Sequence, residues 1–168
     1  RYPDHALASQ TVSLEQALRE WVSAAPHHTR ALHGVRLEIP VGKGAKEFEI
    51  VDTAGLIEGI PKETGIRRAM AQTLAMVREA DLVLHMVDAA QAAAKGAVEA
   101  FGEVDFQVAQ FAQMKGGYVI LANKMDLPTS RAGLERIRRE FVGHYVIPIS
   151  ALTREGFREV KRFVWRWI

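Results

Sequence analysis

Apolar runs that alternate with helical stretches constrain the fold of this chain more than any other feature of its sequence. The run from Asp81 to Asp88 is almost entirely apolar, and so is the run from Tyr118 to Ala122. Such runs are typical of strands that are covered on both faces, and their alternation with helices indicates a mostly parallel sheet. The length of 168 residues is sufficient for one domain with a substantial core. We therefore predict a three-layer α/β fold, with helices on both faces of the sheet, as a single domain over residues 1–168.

The periodicity of the apolar residues places the other elements. A capping-box pattern at Ser13 begins a predicted helix over 13–25, and residues 35–41 alternate as a half-buried strand. A glycine turn at 42–44 then leads into a predicted strand over 47–51, which forms a hairpin with the first strand. The remaining predicted elements are helices over 66–79, 90–114 with a break near Gly102, 130–142 and 155–168, and a short strand over 145–149.

Composition excludes several classes of function. The chain has no cysteine, so disulfides and cysteine-based metal sites are excluded. The formal net charge is only +2, which is not a signature of nucleic-acid binding. No apolar run approaches the roughly 20 residues that a membrane helix needs. We therefore expect a cytoplasmic protein that neither spans a membrane nor binds DNA.

The tetrapeptide Asp52-Thr53-Ala54-Gly55 comes directly after the second strand of the predicted hairpin. A carboxylate at Asp52 can reach a Mg²⁺ ion, usually through a water molecule. Gly55 can bring its backbone N–H close to a phosphate, because no side chain is in the way. Short Asp/Gly turns are common, so this motif gains weight only from the two motifs that follow it along the chain.

The second motif is Asn123-Lys124-Met125-Asp126, which follows a buried strand. The Asp126 carboxylate can accept hydrogen bonds from both N1–H and the 2-amino group of guanine, a pair of donors that adenine lacks. Asn123 can bond the purine and tie its loop to neighbouring segments, while the methylene stem of Lys124 can lie over the ring. The motif therefore predicts discrimination between purine bases.

The third motif, Ser150-Ala151-Leu152, follows the short strand over 145–149. One of its backbone N–H groups can donate to guanine O6, and the Ser150 side chain can brace the loop. All three motifs are predicted at the carboxyl ends of strands, where open α/β sheets bind their ligands.

In this order the motifs resemble those of a P-loop GTPase domain of the translation-factor-related class, and specifically the Obg/Era-like GTPases. Asp52–Gly55 resembles the third guanine-nucleotide motif, Asn123–Asp126 the fourth and Ser150–Leu152 the fifth. Leu56-Ile57-Glu58-Gly59 resembles the Gly-Leu-Ile-Glu-Gly run of Obg proteins. The resemblance covers roughly residues 35–168, whereas residues 1–34 match poorly.

The resemblance implies a switch domain that binds GTP and GDP and hydrolyses GTP to GDP and phosphate with Mg²⁺. Leu56 stands where Ras-like proteins have the Gln that orients water, so slow intrinsic hydrolysis is implied and no catalytic residue is assigned. Asp52, through water, and Thr29 are the implied Mg²⁺ ligands. A protein effector is an implied partner, and the ribosome or RNA is another. The implied nucleotide-binding residues are Asp52, Gly55, Asn123, Lys124, Asp126, Ser150, Ala151 and Leu152.

The sequence departs from the family in one respect, since no Gly-x-x-x-x-Gly-Lys-Ser/Thr motif occurs in it. Val41–Gly44 lies inside the predicted hairpin, whereas a P-loop joins a strand to a helix. In this fold the strand before the P-loop is central, and its omission leaves a gap of about 5 Å with unpaired edges. We favour a P-loop upstream of Arg1. The alternatives are a degenerate interaction module that no longer binds nucleotide, and a P-loop downstream of Ile168.

Three further features are interpreted as structural. His85 lies inside a predicted buried strand and is expected to be a hydrogen-bonded core histidine. Trp165 and Trp167, near the end of the chain, are expected to supply core packing and one exposed aromatic ring. A basic helix face is expected to be solvated, with an RNA or ribosome contact as the alternative. That face consists of Arg136, Arg138 and Arg139.

Overall fold

The computed structural model describes residues 33–41, 43–53, 64–94 and 101–167 of the chain. These residues divide into two compact units, with the division between residues 75 and 76. The predicted helix over 13–25 lies outside the described residues, and the single-domain organisation stays a prediction.

The first unit contains an antiparallel hairpin. Strand β1, His33–Val41, pairs with strand β2, Gly44–Asp52, in a register that runs from His33 opposite Asp52 to Val41 opposite Gly44. The predicted hairpin is thus confirmed, and β2 is longer than expected because the ladder continues to the turn. Helix α1, Thr64–Glu79, follows and confirms the predicted helix over 66–79.

The second unit is built on a parallel three-stranded sheet in the order β3-β4-β5. This arrangement confirms the α/β class and the parallel sheet, because each strand is separated from the next by helix. The strands are β3, Val83–Asp88; β4, Tyr118–Asn123; and β5, Val146–Pro148. The helices are α2, Ala89–Ala94; α3, Glu103–Lys115; α4, Ser130–Glu140; and α5, Phe157–Trp165.

The helices pack on both faces of this sheet. On one face, Ile120 of β4 belongs to a buried cluster with Ile137 of α4 and with residues of α2 and α3. On the other, Val119 and Leu121 form a second cluster that α5 covers through Val160 and Phe163. Strand β4 is therefore buried on both faces, as its apolar sequence predicts.

The same prediction is wrong for β3. Leu84 and Met86 are 38% and 56% exposed, although Val87 on the opposite face is buried. The cause is the position of the strand, because within the described part of the chain β3 pairs with β4 alone and so lies at the edge of the sheet. Apolar composition predicts a buried strand but does not distinguish a central strand from an edge strand.

The break expected near Gly102 in the helical stretch over 90–114 is confirmed by the residues of that stretch that the structure describes, 90–94 and 101–114. Helix α3 begins after Gly102, whose extended backbone cannot continue a helix (φ −65°, ψ 161°). The Asp105 carboxylate accepts a hydrogen bond from the Gly102 N–H at 3.1 Å and so fixes this boundary.

Helices α2 and α4 approach closely at Gly133. A Cβ atom on Gly133 would lie 1.7 Å from the carbonyl oxygen of Ala89 and 3.1 Å from the amide nitrogen of Ala93. Only glycine therefore permits this approach. None of the helices in the described ranges has both the length and the apolar composition needed to cross a bilayer.

Candidate functional site

The structure brings the second and third motifs together at the carboxyl ends of β4 and β5. The Met125 N–H donates to the Ile149 carbonyl at 3.0 Å. The side-chain oxygen of Asn123 accepts hydrogen bonds from the N–H of Ala151 at 3.0 Å and of Lys124 at 2.8 Å. Asn123 thus ties the two loops together, which was one of its two predicted roles. Its amide nitrogen lies 3.5 Å from the sulfur of Met86 on β3.

Ser150 orients the Asp126 carboxylate. The Ser150 side chain is fully buried, whereas Asp126 is exposed. The Ser150 hydroxyl donates to Oδ1 of Asp126 at 2.5 Å and accepts from the Thr153 N–H at 3.1 Å. Within the described ranges no donor contacts Oδ2 of Asp126. One carboxylate oxygen is therefore held by the protein, and the other faces outward.

Lys124 has a left-handed backbone conformation, with φ at +70°. Such a conformation costs a non-glycine residue about 1–3 kcal/mol and persists where the surroundings impose it. Here the Lys124 carbonyl accepts from the Ser130 hydroxyl at 2.6 Å and from the Leu127 N–H at 3.0 Å. Ser130 is fully buried at the start of α4, so a buried side chain holds the backbone of the loop in this conformation.

Asp88 holds the side chain of Lys124. The Lys124 ammonium lies 2.6 Å from Oδ2 of Asp88, and Oδ1 of Asp88 accepts from the N–H groups of Ala90 and Gln91 at 2.9 and 3.0 Å. Burial raises the pKa of Asp88, but the hydrogen bonds from Lys124 and from these two N–H groups, with the Lys124 charge, outweigh it, so the pKa is below its ordinary value. The side chain is ionised at neutral pH and keeps Lys124 in one position.

Asp88 and Ser130 are the site residues that the sequence analysis missed. Asp88 ends an apolar strand and precedes an alanine-rich stretch, a pattern that indicates a helix N-cap. Ser130 begins the predicted helix after the second motif, which is also a position where a hydroxyl bonds the backbone. Both signals were present in the sequence, but neither indicated contact with Lys124.

The third motif contributes backbone donors. The Ser150 N–H donates to the Glu155 carbonyl at 3.1 Å, and the Ala151 N–H donates to Asn123. Over the part of the chain that the structure describes, the Leu152 N–H has no acceptor. Leu152 is 83% exposed, so its backbone and side chain are both accessible. Of the three N–H groups, that of Leu152 can accommodate a new acceptor without losing an existing one.

Asp52 lies at the end of β2, as predicted, and is exposed. A single hard carboxylate fits a Mg²⁺ ion, which takes one or two protein carboxylates and completes its shell with water and phosphate oxygens. Among the described residues no group of three or more His, Asp or Glu side chains could hold a metal without such help. Thr29, Gly55 and Leu56 lie outside the described residues, so their predicted roles stay predictions.

His85 has the structural role that was expected of it. Its Nδ1 atom lies 2.7 Å from the Tyr118 hydroxyl, and its Nε2 atom lies 3.0 Å from Oδ1 of Asp105. Burial, together with the nearby Asp105 carboxylate, raises the pKa of Tyr118 well above its ordinary value. The phenol therefore stays neutral and can donate its hydrogen bond to the imidazole at all physiological pH values.

The α/β fold and the two joined loops agree with the class that comparison with known proteins assigns to this domain, a P-loop GTPase of the Obg-like type. The model of one family, described as "50S ribosome-binding GTPase", matches residues 11–124. The chain belongs to that family. The match begins within the N-terminal segment 1–34 and ends at Lys124, so Asp126 and the third motif lie beyond it.

Curated relatives named GTPase Obg agree with this assignment. The protein of Fusobacterium nucleatum is 28% identical over 147 residues, which cover 83% of this chain and 34% of the relative. That of Caldicellulosiruptor saccharolyticus is 32% identical over 119 residues, covering 68% of this chain and 27% of the relative. That of Symbiobacterium thermophilum is 32% identical over 124 residues, which cover 71% of this chain and 28% of the relative. The chain therefore spans about a third or less of the length of these relatives.

Proposed function

We propose that this chain binds GTP and GDP as a guanine-nucleotide switch and hydrolyses GTP to GDP and phosphate. One observation supports the base specificity above all others. The buried Ser150 hydroxyl orients the Asp126 carboxylate, whose second oxygen is free of protein donors in the described ranges. A carboxylate oriented in this way suits a ligand edge with adjacent N–H donors, and guanine has one while adenine does not.

The other loop residues complete the base site in this proposal. Lys124, held by Asp88, lays its methylene stem over one face of the purine. Asn123 keeps the two loops in register through the Ala151 N–H. The Leu152 N–H donates to guanine O6, since it is the backbone donor of this motif without an acceptor in the described part of the chain.

Hydrolysis of GTP is the second part of the proposal. A water molecule attacks the γ-phosphate in line, and the leaving group is GDP. Asp52 would hold Mg²⁺ through a water molecule, and the ion would neutralise the charge of the phosphates. Leu56 has no group that could orient the attacking water, so we propose a slow intrinsic rate and an activating partner or cation.

The base assignment is tested with Asp126→Asn in the full-length protein. Fluorescent GDP is bound at equilibrium and displaced by GTP, ATP and XTP. The wild-type protein should be displaced by GTP but not by ATP. In the variant the affinity for GDP should fall about 100-fold, because two charge-assisted hydrogen bonds are lost, and XTP should become the better competitor. Glu140→Gln, at an exposed carboxylate on α4, is the matched control and should change nothing.

Two results would overturn the proposal. An unchanged preference for GTP in Asp126→Asn would show that this carboxylate does not read the base. Failure of the wild-type protein to bind any guanine nucleotide at high micromolar concentration would instead favour the degenerate interaction module, an alternative that the relatives named as GTPases do not support.

A switch needs a partner that distinguishes its two nucleotide states. Because the matched family is described as ribosome-binding, we propose a ribosomal partner in the cytoplasm, with a protein effector as the alternative. Co-sedimentation with isolated large ribosomal subunits, in the presence of GDP or of a non-hydrolysable GTP analogue, tests this. Binding in one nucleotide state only is expected, and absence of binding in both would exclude the ribosome.

A further inference from the structure

Helix α5 has two chemically distinct faces. Val160 and Phe163 pack into the cluster on one side of the sheet, so the apolar face is used by the fold itself. The opposite face is basic and contains one aromatic ring. Its side chains line an open groove of about 610 Å³. This α5 cationic face consists of Arg158, Lys161, Arg162, Trp165 and Arg166.

The charges on the α5 cationic face are not neutralised by the surrounding protein. Within the described ranges none of its four cations forms an ion pair. Glu159 is the one acidic residue in the helix sequence, and its carboxylate accepts a 2.5 Å hydrogen bond from the Tyr145 hydroxyl. That hydrogen bond, with a smaller effect of burial and of the Glu159 charge, raises the pKa of Tyr145. Glu159 is thus directed to Tyr145 rather than to the cations.

The basic face of α4 differs in this respect. Arg138 lies 3.4 Å from the Glu135 carboxylate, and Arg136 donates to the carbonyl of Ala92 on α2 at 2.9 Å. Arg138 thus forms an ion pair at the surface, and Arg136 contributes to the packing of α4 against α2. Both roles agree with the expectation that the basic face of α4 is structural and not a binding surface. The basic face of α4 was the one expected from the sequence, but within the described ranges α5 has four cations without a carboxylate partner around one groove.

Trp165 gives the α5 cationic face a flat apolar surface among its charges. Its side chain is 51% exposed and lies one helical turn from Lys161 and Arg162. Trp167 is different, because its ring packs over the backbone of Gly116, where an added Cβ would lie 3.2 Å from it. Trp167 is nevertheless 47% exposed, so the expectation of one core ring and one exposed ring near the chain end is wrong, because both are exposed. Trp165 is the ring that lies among the four cations.

We propose that the α5 cationic face binds single-stranded RNA, with phosphates on the four cations and one unpaired base stacked on Trp165. Cationic grooves with an exposed aromatic ring suit this ligand, because the charges follow the backbone and the ring stacks on a base. An anionic membrane suits the face less well. An interfacial helix inserts its apolar face into lipid, and here Val160 and Phe163 of that face are covered by the sheet.

The choice of RNA over DNA rests on the ribosomal partner proposed above. The assignment of the α5 cationic face as a binding surface for a phosphate backbone does not rest on that proposal. The whole-chain net charge of +2 conceals this surface, because acidic residues elsewhere balance it. Phosphate binding depends on the local arrangement of charges and not on their sum over the chain.

The test measures fluorescence anisotropy of a fluorescein-labelled single-stranded RNA of mixed sequence with the full-length protein. Arg158→Gln combined with Arg162→Gln should weaken binding at least tenfold, and should reduce the slope of log K against log salt by about 1.4, the value for two lost phosphate contacts. Trp165→Ala should weaken binding about tenfold, whereas Trp165→Phe should retain most of it because a stacking ring is kept. The control is Arg131→Gln combined with Arg139→Gln on the exposed surface of α4, which should leave binding unchanged.

Four results would overturn the proposal: no binding of RNA by the wild-type protein at low salt, equal losses in the α4 control, equal binding of DNA of the same sequence, or binding only to vesicles that contain phosphatidylserine. Fluorescent GDP binding to the same variants separates this proposal from the nucleotide switch. Variants that lose RNA but keep GDP affinity support the α5 cationic face independently of the base site. A wild-type protein that binds GDP but no RNA contradicts this proposal alone.

Discussion

The two joined loops of the second unit and the end of the hairpin in the first unit are built differently. The loops follow strands of a sheet that has a buried cluster on each face. The buried hydroxyls of Ser130 and Ser150 hold them through hydrogen bonds to Lys124 and Asp126. Asp52 ends a ribbon that has two strands within the described ranges, and Ile50 of that ribbon is 48% exposed. A ribbon of two strands is only marginally stable by itself.

This difference indicates that base recognition and metal binding have different structural support. In the loops, side chains determine the positions of other functional groups, as Ser150 does for Asp126. In the hairpin, main-chain pairing of Asp52 with His33 fixes the position of the Asp52 backbone, from which the carboxylate extends. We therefore expect mutations in the helix packing beneath the loops to alter stability, mutations of the loop side chains to alter nucleotide affinity, and mutations in the hairpin to alter metal dependence alone.

The largest effect is expected for Gly133→Ala. Alanine in a helix interior is normally more stable than glycine by about 1 kcal/mol. Here the new methyl group would meet the Ala89 carbonyl, so α2 and α4 must separate, and we expect a loss of about 2–3 kcal/mol in the free energy of unfolding by urea. Ala132→Gly at the exposed neighbouring position should lose only about 1 kcal/mol. A stabilised Gly133→Ala protein would show that the loops do not depend on this packing.

An intermediate effect is expected for Asp52→Asn. The affinity for fluorescent GDP and GTP is measured in Mg²⁺ and in EDTA. The gain in affinity from Mg²⁺ should be about tenfold smaller in the variant than in the wild-type protein, because a neutral amide is a poorer partner for hydrated Mg²⁺. Selectivity for guanine over adenine should not change. The matched control is Glu47→Gln, an exposed carboxylate on the same strand. A variant that lost base selectivity would remove the distinction between the two regions.

The smallest effect is expected for Asp88→Asn. The amide can still cap α2, but the ion pair with Lys124 is lost, and GDP affinity should fall about threefold with little change in stability. If Asp88 acts only by positioning Lys124, Asp88→Asn should cause no further loss of GDP affinity in a protein that already carries Lys124→Met. A general structural role of Asp88 would cause the same loss in both backgrounds. Since the pKa of Asp88 is below its ordinary value, the ion pair is complete at neutral pH and is lost only as the pH falls through that lowered pKa. An equal decrease in the Lys124→Met background would contradict the role of Asp88.

The sequence was sufficient to predict the strand-end loops, because their positions follow from chain topology. Asn123 and Ser150 each follow a strand of a parallel sheet, and parallel strands present their carboxyl ends at one edge. The hairpin was predictable for a similar reason, since alternation and a glycine turn determine an antiparallel pair. In each case a local pattern determines the geometry.

Contacts between distant segments could not be predicted in this way. The ion pair of Asp88 with Lys124 joins two different strand ends, and Lys124 has a left-handed backbone that no sequence pattern specifies. The exposure of Met86 depends on which strand is at the sheet edge, and apolar composition gives no information on that. The α5 cationic face was likewise hidden by the near-balance of charge over the whole chain.

The hydrogen bond from Ser150 to Asp126 also has a kinetic consequence for the proposed site. Because the carboxylate is oriented before any ligand arrives, the loss of its rotational freedom occurs during folding and not during association. Encounter with a correct or an incorrect purine should then proceed at similar rates, and the two should differ in how long they stay bound. Residence time, more than capture, would distinguish guanine from adenine at this end of the sheet.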